Sequence, residues 1–239
     1  MSTEENKGVF IKVDNEDCCI FYASFLNENG IASVLDIIKY EVEVYISNIN
    51  KKEICFNVYG YNSEIIALVR KLGFKNDMDG FYLEYFNKGI PEIPCCDLIE
   101  GGFGDCMLQE FINLFDSSYY NINKDNNWQV NYYSFHKEWF NKKLNTLNDQ
   151  KQVVSFWMQS KLVGVYIFED DYITDIVVNP EFQNEGYGTY MLKHCIRNMK
   201  LNKAIKDVKL RVAKSNISAK RLYERNDFTE IACFAEHNL

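Results

Sequence analysis

Only three prolines punctuate the 239 residues, no C-x-x-C pair occurs among the eight cysteines, and basic side chains are outnumbered by acidic ones, 26 to 34. Long apolar runs are missing too, and each shortage excludes something. Scarce proline beside 47% hydrophobic residues rules out collagen-like, linker and low-complexity chains and fits a folded globular protein. Cysteines at 18, 19, 55, 95, 96, 106, 195 and 233 follow neither the ligand spacing of a zinc site nor a disulfide framework, so they read as reduced, mostly buried thiols. In the adjacent pairs Cys18-Cys19 and Cys95-Cys96, strand alternation would turn one thiol inward and one outward. A net charge of −8 argues against a large basic surface for duplex nucleic acid. The excess lies mainly in residues 1–93, at −6 against −2 for the rest. No stretch approaches the roughly 18 apolar residues that span a bilayer, and Glu4 and Glu5 stand where a signal peptide would be basic. A cytoplasmic protein without a membrane or nucleic-acid partner is expected.

What is present is enough chain for one large domain or two modest ones. In the second half, Val153–Met158 and Leu162–Phe168 flank a tight turn at Gln159-Ser160-Lys161 and read as a hairpin. A polar turn at Glu169–Asp171 leads to a third strand, Tyr172–Val178, which Asn179-Pro180 ends by removing a ladder donor. After glycines 186 and 188, residues Met191, Leu192, Cys195, Ile196 and Met199 recur at helical spacing. Alternation over Val208–Ala213 marks a strand, and Ser218–Arg225 a short helix. Upstream, Cys106–Phe115 and Phe135–Leu147 read as amphipathic helices around an Asn-rich loop, Asn121–Asn127.

The first ninety residues repeat part of this order. Phe56–Asn62 with Ile65, Leu68 and Phe74 overlies Leu210–Asn216 with Ala219, Leu222 and Phe228 at a constant offset of 154. Cys18–Phe25 followed by Asn27-Glu28 overlies Asp175–Phe182 followed by Asn184-Glu185 at an offset of 157. The expected division is a partial copy, residues 1–90, and a complete one, residues 91–239, with the boundary in the turn-prone stretch Asn87–Pro94.

The chemistry concentrates at Gln183-Asn184-Glu185-Gly186-Tyr187-Gly188. Glycines between a strand and a helix allow a tight turn and close approach of a ligand, and unpaired N–H groups at the helix start favour an anion such as a phosphate. Met191 takes the place of the third glycine of a G-x-G-x-x-G motif and no G-K-[ST] follows, which removes the dinucleotide and P-loop readings. With its flanks, the run Ile176-Val177-Val178-Asn179-Pro180-Glu181-Phe182 up to Gly188 resembles the acetyl-coenzyme A signature of the GNAT acyltransferase superfamily, an apolar strand followed by Pro and [Q/R]-x-x-G-x-[G/A]. Asn216, Ala219, Leu222, Tyr223 and Phe228 are similar to its second pattern, N-x-x-A-x-x-L-Y-x-x-x-x-F. The resemblance covers about residues 94–239.

This resemblance implies an α/β (α+β) fold: a mixed, twisted, mostly antiparallel sheet flanked by helices, splayed at the strand ending in Val178, and preceded by a smaller, degenerate copy. It implies acetyl-CoA as cosubstrate. Ile176, Val177 and Val178 would meet the pantetheine arm, Gln183, Asn184, Glu185, Gly186, Tyr187, Gly188 and Thr189 the pyrophosphate, and Asn216, Ala219, Leu222 and Tyr223 would complete the site. Implied too is direct transfer of acetyl to the primary amine of a small molecule or peptide, with a backbone N–H near Val178 facing the oxyanion and Tyr223 as the acid. Tyr223 is otherwise a packed aromatic. Departures bear on activity: Asn184 and Glu185 stand where the family often has Lys or Arg, and Asp227 where Gly is common. The positions that often carry a basic glutamate are Thr174 and Arg211. Asp175 is the neighbouring candidate base, although alternation turns it to the opposite face.

The first copy has Leu26-Asn27-Glu28-Asn29-Gly30 opposite the loop and Val69 opposite Tyr223, so it is expected to bind no coenzyme A. Because its companion ends 11 residues after Phe228, Phe81–Phe86 is expected to supply an edge to the second sheet. Acceptor recognition would fall to Tyr119, Tyr120, Trp128, Tyr132, Tyr133, His136, Trp139 and Phe140, most of which are otherwise core and rim. His136 and His194 read as packing or surface residues. Lys200, Lys203, Lys206 and Lys209 form a solvated face able to attract the 3′-phosphate of coenzyme A. The alternative to an enzyme is an acyl-CoA-binding module without turnover, the coenzyme acting as a regulatory ligand.

Overall fold

The computed structural model describes residues 7–26, 31–48, 53–87 and 89–239. Its elements, in chain order, are β1 (Gly8–Asp14), β2 (Cys18–Phe25), α1 (Ala32–Ser47), β3 (Glu53–Tyr59), α2 (Ser63–Lys71), β4 (Lys75–Tyr85), β5 (Ile99–Gly101), α3 (Leu108–Asp125), α4 (Tyr132–Phe135), α5 (Lys137–Asp149), β6 (Val153–Met158), β7 (Lys161–Glu169), β8 (Tyr172–Val178), α6 (Tyr187–Asn202), β9 (Lys209–Ala213), α7 (Ile217–Glu224) and β10 (Phe228–Asn238). The chain forms two compact units. The first takes in the described residues up to Tyr82 together with Glu230–Leu239, and the second is Leu83–Thr229. This differs from a division at residue 90, because the last ten residues join the first unit.

In the first unit the strand order is β1-β2-β3-β10-β4. β2 and β3 run parallel through seven paired positions, Cys18↔Glu53 to Ser24↔Tyr59. On β10, Phe234–Asn238 pairs antiparallel with Tyr59–Cys55. The apolar alternation of β2 buries Cys19, Phe21, Ala23 and Phe25 against Ile38 and Val42 of α1 and Ile65 and Val69 of α2. The loop residues 27–30, compared above with the glycine loop, lie outside the described residues.

The second unit orders its strands β4-β9-β8-β7-β6-β5. Here Leu83–Tyr85 supplies the end of β4, and the Tyr85 N–H donates to the Val208 carbonyl at 2.8 Å. β5 to β8 are antiparallel neighbours. One face packs on α3 and α5 through Phe111, Phe115, Phe140 and Leu144. The other carries α6, whose Met191, Leu192, Cys195, Ile196 and Met199 are buried, as their spacing requires. Gly164 lets this helix approach, because a Cβ there would stand 2.5 Å from the Met191 Cε and 2.4 Å from the Val177 carbonyl. The fold is thus a mixed, mostly antiparallel sheet flanked by helices.

Three local readings change. α3 runs on to Asp125, so residues 121–125 of the Asn-rich stretch are helical; Asn126 then ends the helix, its side-chain amide donating to the Ile122 carbonyl. Cys95 and Cys96 lie outside any strand. Only Cys19 and Cys195 are fully buried among the cysteines. The repeat also shifts in register. Cys55 and Lys209 are equivalent at offset 154, and they pair with Ile20 and Tyr172, which relates β2 to β8 by 152 rather than 157. Two-residue periodicity gives short strands little to tell such registers apart.

Candidate functional site

The parallel pairing of β8 with β9 has two positions among the described residues, Tyr172↔Lys209 and Ile173↔Leu210. Beyond Ile173 the strands part, and among the described residues the edge of Thr174–Val178 that faces β9 has no strand neighbour. A cleft of about 880 Å³ opens there. Ile176, Val177 and Val178 form one wall, Gln183, Asn184, Gly186, Gly188 and Thr189 one end, and Asn216, Ala219 and Leu222 the side opposite β8. Ser118, Tyr119, Ile122 and Asp125 of α3 complete it. Of the proposed binding positions, Glu185, Tyr187 and Tyr223 do not line the cleft.

The loop geometry follows from its residue types. Asn184 and Gly186 take φ values of 67° and 91°, a backbone region that Asn and Gly tolerate. α6 begins directly after Gly186 with no side-chain cap. Among the described residues no protein acceptor takes the N–H groups of Asn184 to Thr189. Such donors, with the helix dipole behind them, favour an anion. Gln183 turns back, its side-chain amide donating to the Val178 carbonyl at 3.1 Å. The Ser118 hydroxyl donates to the same oxygen at 3.1 Å and so ties α3 to the end of β8. Asn216 caps α7, its Oδ1 accepting from the Ala219 N–H at 3.2 Å.

The candidate base Asp175 and the candidate acid Tyr223 are not among the cleft-lining residues. A β-bulge between β7 and β8 opposes Ile167 to Asp175 and Phe168 to Ile173, which leaves Thr174 as the extra residue. Thr174 is exposed, and Asp175 points at α3, where the Tyr119 hydroxyl donates to its Oδ1 at 2.8 Å. Thr174 and Asp175 thus face opposite ways, as alternation expects, and Asp175 is not among the residues that line the cleft. Burial raises the Asp175 pKa above the usual carboxylate value, opposed by hydrogen bonds from Tyr119 and Thr174 and by the charge of Lys143. Asp175 keeps some accessible surface, yet the atoms packed around its carboxylate desolvate it. Burial and then the Asp175 charge push the phenols of Tyr119 and Tyr223 upward, so both are protonated at neutral pH. Tyr223 is 9% exposed, with its ring against Phe228.

Other candidates fall away from the cleft. Of the eight acceptor-region side chains only Tyr119 lines it; Tyr133 and Phe140 pack with Phe115, and Tyr132, His136 and Trp139 cluster at the surface. His194 bridges Tyr166 and Glu100. Three of the four lysines of the series are engaged elsewhere: Lys200 donates to the Asn87 and Gly89 carbonyls, Lys203 to that of Gln150, and Lys209 pairs with Asp171, while Lys206 is exposed. Arg211 is exposed. Tyr119 escaped sequence reasoning as a reactive group. Its signal is that it continues the Phe111, Phe115 helical stripe with a polar tip, which needs a partner when buried.

Residues 108–228 match the model of the acetyltransferase (GNAT) family. Among solved structures, a GCN5-related N-acetyltransferase from Sphaerobacter thermophilus is similar with a TM-score of 0.61 at 12% identity, over 96% of this chain and 75% of that one. A GNAT-family acetyltransferase from Colwellia psychrerythraea gives 0.59 at 12% identity, over 90% and 77%. A tandem GNAT protein from the clavulanic acid biosynthesis pathway gives 0.54 at 10%, over 91% and 74%. None of the curated proteins matches the sequence.

Proposed function

The chain belongs to the GNAT acetyltransferase family, and from that premise we propose that its second unit binds acetyl-CoA between β8 and β9 and transfers the acetyl group to a primary amine. The observation that carries this reading is the parallel ladder that stops at Ile173 and opens a cleft onto the bare N-terminus of α6. The residues present fit the cosubstrate. The cleft volume is of the size that holds extended organic ligands, the free strand edge at Thr174–Val178 suits the amides of a pantetheine arm, and the N–H groups of Asn184–Thr189 suit a pyrophosphate. When bound, acetyl-CoA supplies an activated thioester.

The remaining roles belong to side chains of this unit. Tyr223, held protonated by burial, is the proton donor to the departing sulfur. The Tyr119–Asp175 pair receives the proton of the amine: the ammonium gives a proton to the phenol oxygen as the phenol's own proton passes to Asp175 Oδ1. The product is a neutral amine beside a neutral carboxyl, the form that burial favours at Asp175. The second reading, coenzyme binding without turnover, draws on Tyr223 lying outside the cleft lining. Titration calorimetry with acetyl-CoA is expected to give one site per chain. It should be abolished by Gly188→Trp, since even a Cβ at Gly188 stands 3.3 Å from Leu222 Cδ2. Thiol release over a panel of amines then separates the readings. Turnover that falls about a hundredfold in Tyr223→Phe supports transfer, binding without release from any amine supports the second reading, and no binding removes both.

A further inference from the structure

The cleft is short of positive charge where a phosphate-bearing ligand needs it. Asn184 and Glu185 stand in the loop, Lys200, Lys203 and Lys209 are held elsewhere, and among the cleft-lining residues Arg225 is the one cation. Arg225 and Ser218 also line an adjoining surface pocket of about 470 Å³, together with Arg221 and Glu224. Arg221 of α7 and Arg225, which caps the end of that helix, are four apart and both exposed. The Nε–H of Arg225 donates to the Arg221 carbonyl at 3.1 Å, which fixes the base of its guanidinium and leaves its terminal nitrogens available. Among the described residues neither arginine has a carboxylate partner. Glu224, the acidic group of the pocket, has its charge offset by Lys220 at 3.4 Å.

We propose that this pocket on α7 is a phosphomonoester site that anchors the 3′-phosphate of coenzyme A, with Arg225 and Arg221 as its charged ligands. The proposal rests on the reading of the cleft as a coenzyme A site. A phosphomonoester carries between one and two negative charges near pH 7, more than either phosphate of a pyrophosphate diester. Guanidinium forks match its oxygens in pairs. The acidic loop is thereby relieved of supplying the counter-charge: α6 contributes backbone N–H donors and α7 contributes cations.

Calorimetry with CoA and with dephospho-CoA tests this without any acceptor. The wild-type chain is expected to bind CoA about tenfold more tightly than dephospho-CoA at low salt, as one or two exposed charge-assisted contacts would give. The preference should shrink as ionic strength rises. In Arg221→Ala/Arg225→Ala the CoA affinity should fall to that of dephospho-CoA, while the latter stays unchanged. Equal binding of the two ligands by the wild type overturns the proposal and leaves the cleft reading standing. So does equal weakening of both ligands in the double variant, which would assign the arginines to the pyrophosphate. Failure of the wild type to bind either ligand removes the cleft reading and the proposal with it. A circular-dichroism melt of the double variant matching that of the wild type excludes misfolding as the cause, and Arg225→Lys should recover part of the preference.

Discussion

Asp175 is a carboxylate kept where its charge is disfavoured, and that has a measurable consequence for stability. Its folded pKa lies above the ordinary value of 3.8, chiefly through burial. Between those two values the native state holds a proton that the unfolded state has lost, so the ionisation opposes folding fully above the folded pKa and progressively less as pH falls through it towards 3.8. Asp175→Asn keeps an oxygen for the Tyr119 hydroxyl and removes the charge. It is expected to melt higher than the wild type at pH 7, with the gap closing as pH falls, and to lose acetyl transfer by about two orders of magnitude. Melting curves over pH check the first part; an Asn variant no more stable at pH 7 would show that the carboxylate is fully compensated. The glycines, Gln183 and the second pattern through Tyr223 were legible because their residue types serve local backbone geometry. The bulge at Thr174 was not, because it arises from pairing with β7 and leaves no mark in the sequence of β8.

At the scale of elements, one difference separates the two units: whether a parallel pair of strands closes or parts. β2 and β3 stay paired through Ser24↔Tyr59, and Asn62, 1% exposed, seals the end. Its Oδ1 accepts from the Phe25 N–H at 2.7 Å and its amide donates to the Phe25 carbonyl at 2.9 Å. By register Phe25 is the counterpart of Val177 in the cleft wall, and by the repeat Asn62 is the counterpart of Asn216. Two asparagines at equivalent positions thus do different things: one caps a helix beside an open cleft, and the other fills the place where a ligand would enter. This gives the physical reason to expect no coenzyme in the first unit. Asn62→Ala leaves two buried backbone groups unpaired and is expected to cost about 2–4 kcal/mol, against about 1 kcal/mol for loss of the cap in Asn216→Ala. Urea denaturation of both variants measures the difference, and equal costs would mean that the Phe25 groups find other partners.

For the whole molecule, the repeat was readable as strand, loop, helix, strand, helix, since hydrophobic period and turn residues are local signals. The assignment of the last strand was not. β10 satisfies the alternation of any strand, and only its pairing decides that Phe234–Asn238 lies on β3, inside a unit whose other strands come from the first 82 residues. That unit is therefore discontinuous in sequence. During synthesis β3 has no neighbour on the β10 side until residues 234–238 are made, and its closure waits on a contact of high sequence separation, which folds slowly. Deleting residues 230–239 would expose the β3 edge and remove the buried Phe234, Ala235 and His237 from the core of that unit. Hydrogen exchange should then show the amides of Glu53–Tyr59 losing protection by orders of magnitude, while those of Val153–Val178, whose partners all lie in the second unit, keep theirs. Acetyl-CoA binding should survive the deletion, because every residue of the cleft belongs to Leu83–Thr229. If β3 stays protected without β10, the first unit does not depend on residues 230–239.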